Sequence, residues 1–481
     1  MKKYLNKIVL AVFGLTLAAC SEDKMDEINF NKNNPTEMSS KFILTDVMTS
    51  TAFNCVGADL AFYASCYIEH NAGIFNQLYR AEIRGTEPSV SSTYNNQWSK
   101  LYSNLAYLKD CINKCQDGGS EEGNYYCLGI AQILTAYNLA LLTDLFGDVP
   151  WTEALQPGVI YSPKTDSQES IYKDIFGFLD AAIENFSKEC KFTLGSQDFY
   201  YNDDITKWTK FAYGLKARYT MRLLYRASDK TAELNKVLEY ADKSFANAGE
   251  EAKFALYDGK SATSPFYQFY VDRNYLGTSK SFYELLEAET DPRINIYFKE
   301  AKGGSFELAE NGNLTQQQDY YGISGISTKT APTFLLSYHE IEFLKAEAYA
   351  RLGKDAEAAE ACGKAITAAC KKVNVNVADD DITEYVERVK KGMNGSTALQ
   401  VVEVQKYISF YEEEAIEAYN DIRRWKALGE NFIHLAHVDP AKFPLRYTYG
   451  SDDVTTNVNV KDAFESINVY TDNVWWAGGT K

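Results

Sequence analysis

Between residues 334 and 369 the chain carries successive apolar patterns whose spacing restricts the fold more than any other part of the sequence. Phe334, Tyr338, Ile341, Leu344, Ala348 and Leu352 recur at three- and four-residue steps, the period that puts side chains on one face of an α-helix. Gly353 breaks the pattern, as a residue just past a helix C-terminus does. Ala358, Cys362, Ala365 and Ala369 then continue it with side chains small enough to let a second helix lie close against the first. Residues 343–366 therefore read as a tetratricopeptide-like hairpin: an aromatic and Ala-rich helix, Leu-Gly at the turn, and an Ala-rich return. Looser versions run from Ile133 to Leu155, with Phe146-Gly147-Asp148 at the turn, and from Ala212 to Phe245. One such pair cannot bury its apolar face alone, so the pairs must stack.

Other helical signals agree. Residues 128–146 are apolar on nearly every side except for Gln132, Thr135 and Asn138, which predicts a buried helix stopped by Gly147 and Pro150. Asp166 and Ser167 are good N-caps for a helix through Ile171, Ile175, Phe178, Leu179 and Ile183. Trp208, Phe211, Leu215 and Tyr219 predict another over 205–227. The expected fold is all-α, with helix pairs interrupted by long irregular insertions at 70–97, 255–280 and 302–333, which are rich in Tyr, Asn, Ser and Gly and lack helical period.

Those insertions matter because the chain holds 35 Tyr, 26 Phe and 6 Trp, more rings than polar loops usually carry. Packed helices take most of them into the core. Rings left in loops offer flat apolar faces and polar tips, which suit a sugar ring or a peptide side chain. The candidate ligand contacts are Tyr79, Arg80, Tyr94, Asn95 and Trp98 in one region, Tyr267, Tyr270, Arg273 and Asn274 in a second, and Tyr320 with Tyr321 in a third; Phe266 and Tyr275 lie beside the second group.

Signs of catalysis are lacking. The sequence has no Gly-x-Ser-x-Gly elbow, no phosphate loop ending in Lys-Ser/Thr and no His-Glu-x-x-His. His434 and His437 read as a surface pair, so no metal and no cofactor are expected. Arg218, Arg222 and Arg226 read as a solvated or ion-paired face, and Arg423-Arg424 as helix packing with charge balance. A formal charge of −17 opposes phosphate backbones, which excludes nucleic acid as a partner.

The N-terminus has an export pattern: Lys2, Lys3 and Lys7, then apolar Ile8 to Leu17, then Ala18-Ala19-Cys20. That apolar stretch is half of the ~20 residues a spanning helix needs, and no later segment is read as a span. Leu17-Ala18-Ala19-Cys20 fits a lipobox, so the expectation is a lipoprotein signal peptide at 1–19, lipidation of Cys20, a flexible tether over 20–38 and one helical domain over 39–481. Cleavage removes three lysines and no acids, taking the formal charge to −20. The remaining eight cysteines sit among apolar neighbours and are expected to be mostly reduced and buried.

These features together resemble the SusD/RagB family of outer-membrane nutrient-binding lipoproteins. The resemblance rests on the lipobox, on Leu145-Phe146-Gly147-Asp148-Val149-Pro150 with Glu153-Ala154, on Ile171-Tyr172 with Leu179 to Ala182, and on Trp208 to Ala212 with Leu215 to Arg218. It continues in Asp291-Pro292-Arg293, Glu340 to Ala348, Gln405-Lys406-Tyr407, Asp421 to Arg424 and Val474-Trp475-Trp476. Phe443 to Tyr447 is similar to the family's late Pro-x-Arg segment, although Tyr449-Gly450 replaces its Tyr-Pro. The resemblance implies a helical lid on a SusC-like TonB-dependent outer-membrane barrel, held by lipid alone and facing the exterior, with Glu22 and Asp23 as a surface-export signal. It implies a nutrient ligand, an oligosaccharide ahead of a peptide, and no enzymatic activity. The competing readings are a lipid-anchored assembly scaffold with no small ligand and a surface glycan hydrolase.

Overall fold

The computed structural model describes residues 38–480, so Cys20, the apolar leader and Glu22-Asp23 lie outside the described residues. The small-residue stripe makes the expected hairpin: helices Tyr338–Arg351 and Asp355–Cys370 pack together across Gly353, with Ala358, Cys362, Ala365 and Ala369 buried between them and their neighbours. Upstream, helix Asn95–Cys115 packs on Tyr125–Phe146, that helix on Gln168–Phe186, and the latter on Ile205–Arg222. Helix Lys230–Asp242 bridges from Ile205–Arg222 to the Tyr338–Arg351 hairpin. Each helix thus leans on its neighbours in sequence, the arrangement expected of stacked helix pairs.

Ser167 caps the helix Gln168–Phe186 by accepting from the Ser170 amide, as read from the sequence. Helix Tyr125–Phe146 is long and apolar enough to cross a membrane, contrary to the sequence reading, but nearly all of it is buried in protein. Its polar stripe is satisfied internally: Asn138 Nδ2 donates to Thr51 Oγ1 at 3.0 Å, and Asn104 Nδ2 donates to Asn138 Oδ1 at 3.1 Å.

Several boundaries differ from expectation. Phe334 is not helical; Thr333–Leu336 is a strand paired antiparallel with Ala252–Phe254, and the helix starts only after Ser337, whose Oγ accepts from the Glu340 amide. The 205–227 helix tightens into a 3-10 turn at Leu223–Arg226. Short helices Asn76–Glu82 and Pro265–Asp272 lie inside the insertions, too brief for their period to stand out. All eight described cysteines are free, and all but Cys190 are buried.

Buried ion pairs fasten the C-terminal helices Ala398–Ser409 and Ala415–Leu428 to this row. Glu347 accepts from Arg424 Nη1 at 2.5 Å and Nη2 at 2.7 Å and from Arg351 Nε at 2.8 Å, while Lys406 pairs with Asp421 at 2.7 Å. Arg218 grips Glu340, and Arg222 pairs with Glu417 and with Asp144. The Arg218/Arg222 face is therefore ion-paired, but in the core instead of at the surface. Arg226 stays exposed and donates to the carbonyls of Trp475 and Gly479. Arg446 reaches the Phe146 carbonyl, and Tyr447 N donates to Leu145 O at 2.8 Å, so the late Pro-Leu-Arg segment docks on the Leu-Phe-Gly turn.

Gly147 is fixed by this docking: its φ is +81°, and a Cβ there would lie 2.6 Å from an Arg446 guanidinium nitrogen. Gly147→Ala should cost about 2 kcal/mol or more in chemical denaturation, from backbone strain and displacement of Arg446. Burial pushes the Glu347 and Glu417 carboxyls up, but the arginines win. Arg424 and Arg351 hold Glu347 well below the usual range, and Arg218 and Arg222 hold Glu417 at about 2. Because these folded values lie below the unfolded value of ~4.3, their stabilisation is complete above that pH and disappears as pH falls toward 2. The urea midpoint should drop between about pH 5 and 2.5, and Glu417→Gln, already weaker at neutral pH, should show a shallower drop.

Candidate functional site

Three insertions are knitted together by short pairings that no local pattern announces. Strand Asn71–Gly73 pairs antiparallel with Leu276–Thr278, with Ala72 opposite Gly277. Ile74 N donates to Tyr275 O at 2.8 Å, Gln317 N to Ile74 O at 3.1 Å, and Thr278 N to Gly322 O at 2.7 Å. Phe298–Lys299 pairs with Ile323–Ser324 and adds a further segment.

Beneath them sits Glu412, buried in the turn between helices Ala398–Ser409 and Ala415–Leu428. Its carboxyl accepts from Tyr270 OH at 2.7 Å, Asn71 Nδ2 at 3.1 Å, Ser324 Oγ at 2.6 Å and Ser327 Oγ at 2.7 Å. Burial pushes its pKa up against the opposing pull of these donors. One side chain from the helical scaffold thus holds a residue from each insertion.

Above Glu412 opens a cleft of about 450 Å³, within the range of small-ligand sites. Tyr267, Tyr270, Arg273 and Asn274 line one side; Gln318, Asp319, Ile323, Ser324 and Ser327 line the other; Lys299 and Lys302 also line it. Tyr270, Ser324 and Ser327 spend their protons on Glu412, and Ser324 Oγ also accepts from the Ser327 amide at 3.2 Å, so these groups have only lone pairs left to offer. Asn274, at φ +51°, donates to Asp319 at 2.8 Å.

Of the sequence candidates, Tyr267, Tyr270, Arg273 and Asn274 are brought into this cleft. Tyr79, Arg80, Tyr320 and Tyr321 belong to the same loop cluster but not to the cleft lining. Tyr79 packs on a small apolar cluster containing Tyr321, Ala72 and Ile74. Arg80 is exposed and paired with Glu87 at 3.0 Å, and Tyr320 is exposed with its ring 5.0 Å from that of buried Tyr321.

Tyr94 and Trp98 require correction as ligand contacts, because both are buried. Tyr94 stacks on Tyr447 with centroids 4.0 Å apart, and its OH lies 2.6 Å from Tyr67 OH. Trp98 packs edge-on to Phe146 and donates to Asp453 at 2.6 Å. Asn95 accepts from the Asp452 amide at 3.0 Å, at the first residue of helix Asn95–Cys115. A Cβ on Gly450 would come within 2.6 Å of the Trp98 ring, so Gly at the position where Tyr-Pro is expected makes room for that indole. Phe266 is likewise core, edge-on to Phe62. His437 is buried and meets the Glu82 carbonyl at 2.7 Å, so the pair with His434 is not a surface one. Among the described residues no His/Cys/Asp/Glu cluster suits a metal ion.

Sequence reasoning missed Lys299, Lys302, Gln318, Asp319, Ser324, Ser327 and Glu412. Gly303-Gly304 marks a loop near the lysines, but nothing in the sequence links Glu412 to residues 85 or more positions away.

The fold and cleft together define a class: a tetratricopeptide-like helical scaffold with a loop-borne aromatic cleft. The chain belongs to the SusD-like family, whose model, described as "Starch-binding associating with outer membrane", matches residues 32–449. A SusD/RagB family protein from Bacteroides thetaiotaomicron is 42% identical, with a TM-score of 0.86 over 92% of this chain and 100% of that one. A chitin-binding protein (22% identical, TM-score 0.75, 91% of this chain and 100% of that one) and a chitin-binding SusD homologue from Flavobacterium johnsoniae (18%, 0.73, 91% and 99%) share the fold. No curated protein matches the chain.

Trp98→Ala should lower stability by roughly 3–5 kcal/mol, as large-to-small core substitutions do, whereas Tyr320→Ala should change it by less than about 0.5 kcal/mol. Thermal scans of the two variants would separate core from surface rings.

Proposed function

We propose that this protein is a surface-exposed outer-membrane lipoprotein, anchored through Cys20 after removal of residues 1–19, that binds an oligosaccharide and passes it to a SusC-like TonB-dependent transporter without chemically altering it. The observation that carries the reading is the cleft over Glu412, where Tyr267 and Tyr270 stand beside acceptor hydroxyls and the amides of Asn274 and Gln318. Stacking faces next to fixed hydrogen-bonding groups are what recognition of a sugar requires. The family's description as starch-binding and the chitin-binding names of proteins sharing its fold favour a glycan over a peptide. The lipobox ending at Cys20 supports attachment by lipid, since no span is needed for a multiply acylated cysteine to hold.

Titration calorimetry against starch-derived and chitin-derived oligosaccharides and short peptides should find saturable binding to a glycan. Tyr267→Ala should weaken that binding by about fivefold or more, in keeping with the ~1 kcal/mol of an aromatic contact, while leaving the thermal midpoint in place. No binding to any glycan, with stable capture of a partner barrel, would instead favour a scaffold. Cys20→Ala should release the protein from the membrane fraction of cells that make it.

A further inference from the structure

The chain is acidic overall, yet the cleft is not. Arg273, Lys299 and Lys302 line it against two acids, Asp272 and Asp319, in a protein of formal charge −17. Among the described residues, none of these three cations has a carboxylate within ion-pair distance. Asp319 is engaged by Asn274 Nδ2. Lys329, also exposed, places its ammonium 6.0 Å from the centre of the Tyr267 ring and adds a further positive charge beside the aromatic wall.

A second cavity, of about 630 Å³, makes the comparison that gives this meaning. It lies between helices Asp355–Cys370 and Asp379–Lys391 and is richer in lysine. There, however, Lys253 is held by Glu251, Lys371 by Asp379, Lys372 by Glu413, and Lys390 by Glu360, at 2.8 to 3.3 Å. Of its two rings, Phe334 is buried beneath Lys253 and Lys372, and only Tyr338 is half-exposed. Those lysines have carboxylate partners; the cations of the cleft have none within ion-pair distance.

We propose that the ligand of the cleft is an anionic oligosaccharide, one carrying carboxylate or sulfate groups. This rests on the reading of the protein as a glycan-binding lid. The floor and the rim divide the work. The oxygens of Tyr270, Ser324 and Ser327 have given their protons to Glu412, so the floor accepts hydrogen bonds from neutral sugar hydroxyls and repels an anion. The charged substituent must therefore point outward, toward Arg273, Lys299 and Lys302, where a planar guanidinium suits a carboxylate or sulfate. Long-range attraction from these side chains also offsets the repulsion that an acidic protein imposes on an acidic ligand.

The test uses the full-length lipoprotein in detergent with three probes: tetragalacturonic acid, a chondroitin sulfate tetrasaccharide and neutral chitotetraose. At least one anionic probe should bind roughly tenfold or more tighter than chitotetraose at 50 mM salt and lose much of that margin at 300 mM. Lys299→Gln with Lys302→Gln should remove most of the margin, whereas Lys364→Gln with Lys371→Gln in the second cavity should leave it intact. Preference for tetragalacturonic acid or for the sulfated probe assigns the charged group. Binding of chitotetraose at least as tight as both anionic probes, unchanged in the Lys299/Lys302 variant, overturns the anionic ligand and keeps the glycan-binding lid. Absence of binding by every probe, in a sample with an unaltered melting transition, overturns both.

Discussion

The pairing of Glu347 with Arg424 and Arg351 is the contact on which the rest of the molecule depends. It joins the first helix of the tetratricopeptide-like hairpin to helix Ala415–Leu428, some 77 residues further along. A buried carboxylate held by two guanidinium groups contributes little net stability compared with an apolar substitute, but leaving any member alone is costly. The observed docking of the C-terminal helices satisfies Glu347, Asp421, Lys406, Arg424 and Arg351 together, and a shift of either helix would leave a buried charge alone.

That docking decides where the turn at 410–414 lies, and with it where Glu412 points. Glu412 then gathers Asn71, Tyr270, Ser324 and Ser327 from segments that are also joined by short strand pairings, a small apolar cluster and the Asn274–Asp319 bond. The cleft is thus a consequence of helix packing at one remove. Its walls come from the insertions, as one short helix, short strand pairs and the loops between them, while Glu412, which aims them, belongs to the scaffold. Neighbouring polar atoms on such a frame need little rearrangement when a ligand arrives, which favours binding.

The strings that carry the family resemblance also acquire a physical reason. Glu347, Lys406 and the pair Asp421 and Arg424 come from three separate strings and meet in one ion network. The Leu-Phe-Gly turn and the Pro-Leu-Arg segment touch through Arg446 and Tyr447. Arg293 closes on Asp291 within its own string and reaches Ser409 at 2.8 Å. The helices were legible because their period repeats over many residues, as at 128–146 and 334–352. The misreading of Phe334 as helical shows the limit: its spacing matched the helix, but pairing of Thr333–Leu336 with Ala252–Phe254 claimed it for a strand.

By itself the sequence determined the helix pairs, the small-residue contact between Tyr338–Arg351 and Asp355–Cys370, the buried character of Tyr125–Phe146 and the family. These follow from local spacing and side-chain size, which act over a few residues. Tertiary structure alone decided that Trp98 and Tyr94 are core, that Tyr267 and Tyr270 face a cleft, and that Lys299 and Lys302 lack acidic partners there. A ring or a charge has the same local signature whether it is packed, paired or left open, and only the folded chain brings together the distant groups that make the difference.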